Sequence, residues 1–341
     1  MADKKKIIWL LILQGWAMLW VVIGHAPIGG IGEGPEWENV LYSFAYSFHM
    51  PLFILVSGWL FHFTRLNTNK TGGGKWDYKN VVYDKALRLL LPGVVFSFIA
   101  FAVKIAFPGE ISRQTGFNFQ EIVYAFLYPY ENPLRELWFI ATLFQLFLLM
   151  PLWRWILSKR NLMWGALLVL AILHFFHPSI ELFCIGKVLA YAIWFYLGLI
   201  ISKEKYVDKV MIKQPWITLF TGIALYILGR SINSFVTILG GITFSFGFAL
   251  IADKYVPKLF CSFRNYTYQI FLMGIFAQIA VKIAYRHIPI PYVAAYILCI
   301  LVGVYVPVLV SKVIEKTNWK LLLLCVGLKH NSGHSKSKKI V

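Results

Sequence analysis

The chain has 341 residues, of which 59% are hydrophobic and 14% charged, with a formal net charge of +18. Soluble globular domains carry about 45–50% apolar and about 25% charged residues, so this composition excludes disorder, a coiled coil and an ordinary soluble enzyme. A spanning helix takes about 20 mostly apolar residues. The expected fold class is therefore all-α: a polytopic integral membrane protein with about ten transmembrane helices.

In chain order, the apolar runs fall at 7–27, 40–63, 86–107, 136–157, 162–178, 182–202, 215–230, 233–252, 266–285 and 291–313. The first begins after a lysine cluster and resembles a signal peptide. It is too long for one and no small-x-small cleavage site follows, so it reads as a retained span. Residues 1–328 read as one transmembrane domain and 329–341 as a basic tail, with loops 65–85 and 108–135 too short for a soluble domain. With the N-terminus inside, 26 of the 33 basic residues fall in inner segments. Arg113, Arg135, Arg230 and Arg286 fall outside, and Lys104, Lys187 and Lys282 lie within spans. That asymmetry predicts cytoplasmic termini in a cell membrane. Attraction to anionic membrane lipids accounts for the basic charge without nucleic acid. Cys184, Cys261, Cys299 and Cys325 lack metal-like spacing and read as packing residues, and no metal is expected.

Polar groups within spans are costly and usually functional. Gln14 and His25 are eleven residues apart, which puts them on one face of a helix about 16 Å apart along its axis. His49, in FHMPLFILVSGWLF, lies roughly 15 Å deep by helical rise, where a neutral imidazole can serve as acid or base near pH 7. Arg88, in KALRLLLPG, sits at an inner mouth and suits either lipid headgroups or a phosphate-bearing ligand. Arg135 and Glu136 precede Trp138 at the outer start of the fourth span, an ion pair beside an interface tryptophan. Ser57-Gly58 reads as a site of close helix packing rather than a nucleophile. The sequence contains no GxSxG elbow, P-loop, HxxxxD box or HExxH site.

These residues resemble the membrane acyltransferase-3 family, in particular its fucose 4-O-acetylase-like branch. The first span matches at Gln14-Gly15, Ala17, Val21-Val22 and Gly24-His25. The second matches at Phe48-His49-Met50-Pro51-Leu52-Phe53 and Ser57-Gly58. Arg88, Leu90 and Pro92 follow the family's R-x-L-x-x-P with shifted spacing, Leu137 to Phe144 its LWFLxALF, and FRNYTYQIFLMGIF its late segment. Gln14 stands where the family has a basic residue, Leu11 where it has Asp, and Gly274 at its late His.

The resemblance implies transfer of an acetyl or other short acyl group from cytoplasmic acyl-CoA, with acetyl-CoA as donor. The acceptor would be a sugar hydroxyl of an envelope polysaccharide or a lipid-linked glycan. It implies His25 as the base and His49 as the group that orients it or stabilises developing charge. Gln14 and Arg88 fall on the donor side, Trp138 and Glu136 on the acceptor side. The alternative is a non-catalytic glycan or lipid exporter with a polar transmembrane path.

Overall fold

All ten apolar runs are helical in the computed structural model, which describes residues 7–29, 32–66, 78–107 and 118–329 and holds no strand among them. Lys4 to Lys6, Lys70, Lys75, Arg113 and the basic tail from residue 330 onward lie outside the described residues. The helices are α1 (Ile8–Gly24), α2 (Glu36–Phe61), α3 (Tyr78–Lys85), α4 (Leu91–Ala106), α5 (Phe119–Leu127), α6 (Leu137–Leu148) and α7 (Met150–Ser158). After them come α8 (Arg160–Phe176), α9 (Ile185–Lys203), α10 (Pro215–Ile232), α11 (Ser234–Tyr255), α12 (Thr267–His287), α13 (Tyr292–Thr317) and α14 (Lys320–Cys325). Seven helical stretches are long and apolar enough to cross a membrane, and α6 with α7 makes an eighth if that bent pair is one span. The apolar helices α1 and α8 have 17 residues each, the lower end of the spanning range of about 17–25. The chain is a multi-pass membrane protein. Its described residues divide into two compact units, those within 1–53, 205–323 and 329 in one, those within 54–204 and 324–328 in the other.

In the first unit, α1 stops at Gly24. His25 takes φ −98°, ψ 0°, and Pro27 two residues on cannot continue the backbone ladder. Lys282 of α12 donates to the His25 carbonyl at 2.9 Å, placing a cation where the helix dipole favours one. α2 begins after Pro35, with Glu36 and Glu38 in its first turn, where the dipole favours carboxylates. This start lies four residues before the expected span and draws Glu38 into the helix, fully buried. α10 and α11 form a hairpin locked by glycines: a side chain at Gly222 or Gly229 would strike the α11 backbone, and one at Gly240 or Gly247 the α10 backbone. At the turn before α12, Tyr266 donates to Glu315 at 2.8 Å. Burial and that carboxylate push its hydroxyl up to about 12, so it remains a donor at any physiological pH.

In the second unit, the C-terminal part of α2 crosses α9 at van der Waals contact of the two backbones. A Cβ on Gly58 would overlap the Phe195 carbonyl, and one on Gly198 the Leu55 carbonyl, so Gly58 permits the close packing its sequence suggested. Three expectations are corrected. The third span starts at Tyr78, not 86, because a π-helical turn over Ala86–Leu90 joins α3 to α4. The loop around 119–127 is the short helix α5, capped by the Asn118 side chain. The fourth span is broken, with α6 and α7 meeting at 51°.

Met150-Pro151 causes the break, since proline has no N–H for the carbonyl four residues back. Carbonyls around the break find substitutes: the Trp153 indole donates to Leu146 at 2.8 Å and the Tyr78 hydroxyl to Leu148 at 2.9 Å. Such replacement donors are what make a broken helix tolerable in lipid.

Candidate functional site

His25 and His49 come together in the first unit, both in contact with one aromatic ring. The Tyr46 ring lies 5.9 Å from the His25 imidazole and 5.0 Å from that of His49, edge-on to both. The two imidazoles are therefore no further apart than the sum of those distances. Tyr46 is 40% exposed, His25 half-buried and His49 2% exposed. A ligand reaching the site meets Tyr46 and His25 first, with His49 behind them.

The tautomer of His49 follows from its partner. Its Nδ1 lies 2.5 Å from the Ala45 carbonyl, one helical turn earlier. A carbonyl only accepts, so Nδ1 carries the proton, and in the neutral ring Nε2 holds the free lone pair. His49 can thus accept a hydrogen bond or a proton at Nε2. It cannot donate there to a developing oxyanion without first being protonated. Of the two roles implied for His49, this geometry favours orientation.

Groups that no local motif announces support the histidine end of α1. Gln278 of α12 is 1% exposed and donates to the Val22 carbonyl at 2.8 Å, and Lys282, one turn on, holds the His25 carbonyl. Glu38 accepts from the Tyr292 hydroxyl at 2.6 Å. Gly274 packs on α13, where a Cβ would stand 2.9 Å from the Gly303 carbonyl, so this position serves helix contact. Gln14 is half-buried on α1. Its neighbour Gly15 faces Phe260 and Arg264, whose guanidinium is held by the Pro257 and Leu259 carbonyls at 2.9 Å each.

The second unit holds the remaining predicted residues. Arg88 is exposed on the π turn between α3 and α4. It and Arg65 lie within electrostatic reach of Lys85, whose ammonium sits 3.9 Å above the Phe147 ring. Arg65 pairs with Asp84 at 3.1 Å, and His62 bonds Ser202 at 2.9 Å. This end of the unit is strongly basic. Gly93 packs on Leu137 and Ile140, and Arg88 precedes it by five residues, roughly 7 Å of helical rise.

Trp138 stacks on Tyr130 at 5.8 Å and 22° and touches Tyr191 at 5.4 Å. Glu136, half-buried, precedes it at the N-cap of α6. An intramembrane lysine joins this group: Lys187 Nζ is 5.2 Å from the Tyr130 ring centre and 5.8 Å from that of Trp138. It is placed by consecutive left-handed residues, Phe183 (φ 51°) and Cys184 (φ 58°), at the entry to α9. Gln145 holds the Phe183 carbonyl at 2.6 Å.

Compared with known proteins, residues 7–312 match the sequence model of the acyltransferase-3 family, described as an acyltransferase domain. No curated protein and no solved structure gave a match.

Proposed function

The chain belongs to the acyltransferase-3 family of membrane acyltransferases, and from that premise we propose that it moves a short acyl group, acetyl in the simplest case, from cytoplasmic acyl-CoA to a sugar hydroxyl of an envelope polysaccharide or lipid-linked glycan. The observation that carries this reading is the pair of histidines around Tyr46, one accessible and one buried with its tautomer set. The proposed orientation has both termini in the cytoplasm of a cell membrane, which turns the basic end around Lys85 and Arg88 toward the donor.

In the proposed reaction, His25 takes the proton from the acceptor hydroxyl as its oxygen attacks the thioester carbonyl carbon. The tetrahedral intermediate collapses with cleavage of the C–S bond, and the imidazolium returns its proton to the departing thiolate. The products are the sugar ester and free CoA. General-base assistance of this kind contributes about 10²–10⁴-fold. His49 accepts at Nε2 and holds the donor of that hydrogen bond in line. Lys282, on the His25 carbonyl, fixes where α1 ends and so where the base stands. Arg88, with Lys85 beside it, offers cationic partners for the CoA phosphates, which arginine binds well through its planar fork. Trp138 and Glu136 take the acceptor, the ring against a sugar face.

The test is incorporation of label from acetyl-CoA into envelope glycan in membrane vesicles, with wild type, His25→Ala and a strain lacking the protein. Matched membrane levels and loss of incorporation in His25→Ala support the reading. Incorporation no higher in wild type than in the strain lacking the protein refutes it, and a glycan or lipid exporter then becomes the better account.

A further inference from the structure

Lys187 is the least explained charge in the described structure. It lies in the first turn of α9, where the helix dipole opposes a positive charge, within a span where a lone cation is costly. Its contacts among the described residues are two aromatic faces, Tyr130 and Trp138. These offset part of the cost but accept none of the ammonium's hydrogen bonds. Arg135 approaches the same Tyr130 ring at 5.8 Å and likewise makes no ion pair among the described residues. Two cations therefore converge on one stacked aromatic pair and neither forms an ion pair among the described residues, with Glu136 the next residue after Arg135 and Glu181 shortly before α9. The backbone that presents Lys187 is strained by two left-handed non-glycine residues, and Gly186 beside it has no room for a Cβ, which would stand 2.9 Å from the Pro178 carbonyl. Strain of this kind persists where surrounding structure enforces it, and it concentrates at functional sites.

We infer that Tyr130, Trp138, Lys187 and Arg135 form a subsite for an anionic saccharide, the rings packing against a sugar face while the two cations take its carboxylate or phosphate. This rests on the acyltransferase reading above and narrows its acceptor to a negatively charged glycan. An ammonium beside a ring stack suits a charged sugar better than a lipid headgroup, because a headgroup phosphate needs the charge but has no use for the rings.

The experiment compares two disaccharides that differ in one group, cellobiuronic acid and cellobiose, on the full-length protein in nanodiscs of neutral phosphatidylcholine. Binding is followed by tryptophan fluorescence, and acetyl transfer from labelled acetyl-CoA is measured in parallel. Wild type is expected to bind the acid at least tenfold more tightly than the neutral sugar, with the preference shrinking as salt is raised. In Lys187→Met, which keeps the aliphatic stem on the rings, the preference falls below threefold while cellobiose binding is unchanged. Lys187→Arg restores it.

Equal binding of both sugars by wild type overturns the inference, as does equal loss of both in Lys187→Met. So does displacement of the acid by phosphatidylglycerol in the nanodisc at equimolar amounts, which would assign the cations to lipid. The two readings fail separately. Charge-selective binding without acetyl transfer to either sugar, or to envelope glycan, defeats the acyltransferase reading and leaves the subsite. Transfer that ignores both charge and Lys187 defeats the subsite alone.

Discussion

Replacing His49 by asparagine and by glutamine separates the two roles an inner histidine can play. Asparagine places an amide nitrogen where Nδ1 stands and keeps the donation to Ala45, now 2.5 Å, while removing the acceptor at Nε2. Glutamine reaches the Nε2 position and can accept there through its carbonyl oxygen, but it cannot take a proton. If His49 orients a charged or strongly polarised donor, the lost hydrogen bond is worth about 1.5–3 kcal/mol. At 1.36 kcal/mol per tenfold, that is about 10–150-fold in kcat for His49→Asn. His49→Gln should recover most of it, to within about tenfold of wild type. His25→Ala should lose about 10²–10⁴-fold, the usual worth of a general base. The assay is single-turnover acetyl transfer in proteoliposomes with saturating donor, at matched protein and with thermal unfolding as a check on folding. Glutamine and asparagine variants both as inactive as His25→Ala would refute the orienting role and make His49 the base itself.

The remaining predictions concern packing and charge. Gly58→Ala drives a methyl into the Phe195 carbonyl and is expected to lower stability in detergent by about 1–3 kcal/mol or more. Gly165→Ala, with open space around it, should be neutral or slightly stabilising by thermal unfolding; equal effects of the two would contradict the α2–α9 crossing. Trp153→Phe removes the donor to Leu146 at the α6–α7 break and should cost about 1–3 kcal/mol, the penalty for stranding a buried acceptor. An unchanged melting temperature would show that the carbonyl finds another partner. Arg88→Ala is expected to raise KM for acetyl-CoA severalfold with little change in kcat, and the difference from wild type should shrink at high salt. Lys282→Met should reduce kcat while leaving donor binding, measured by calorimetry with CoA, unaltered.

What the sequence disclosed and what it withheld divide along one line. Apolar length and charge placement located all ten helical runs because lipid imposes those properties residue by residue, independent of neighbours. His25 and His49 were legible because a buried imidazole is expensive wherever it sits. Tyr46, which bridges them, was not: in a stretch reading LYSFAYSFH, one more aromatic residue looks like any lipid-facing side chain. Gln278 and Lys282 take their meaning from α1, more than 250 residues away in sequence, and no local pattern carries that information. Lys187 was visible as a cation inside a span, but its partners are Tyr130, from the loop before α6, and Trp138, from the first turn of α6. The α6–α7 break hides behind a continuous apolar run, and only Met150-Pro151 hints at it. The indole and phenol that make the break tolerable are supplied by residues chosen for packing as much as for polarity.

The glycine-locked α10–α11 hairpin bears on how the chain is made. Two backbones that meet without intervening side chains can associate as soon as both have left the ribosome, before any later helix exists to receive them. Much of α10 faces outward, with Trp216, Ile217, Phe220 and Ile227 all exposed, and its hydrogen bonds to α2, between Tyr226 and Ser47 and from Arg230 to Ser43, are made to a helix that already exists. The pair can enter the bilayer as one preassembled element, with α11 waiting for α1 and α10 already at its final boundary with lipid. Its outer face then becomes a natural place for a reporter: a label there would travel with the unit through synthesis and assembly without touching the histidines.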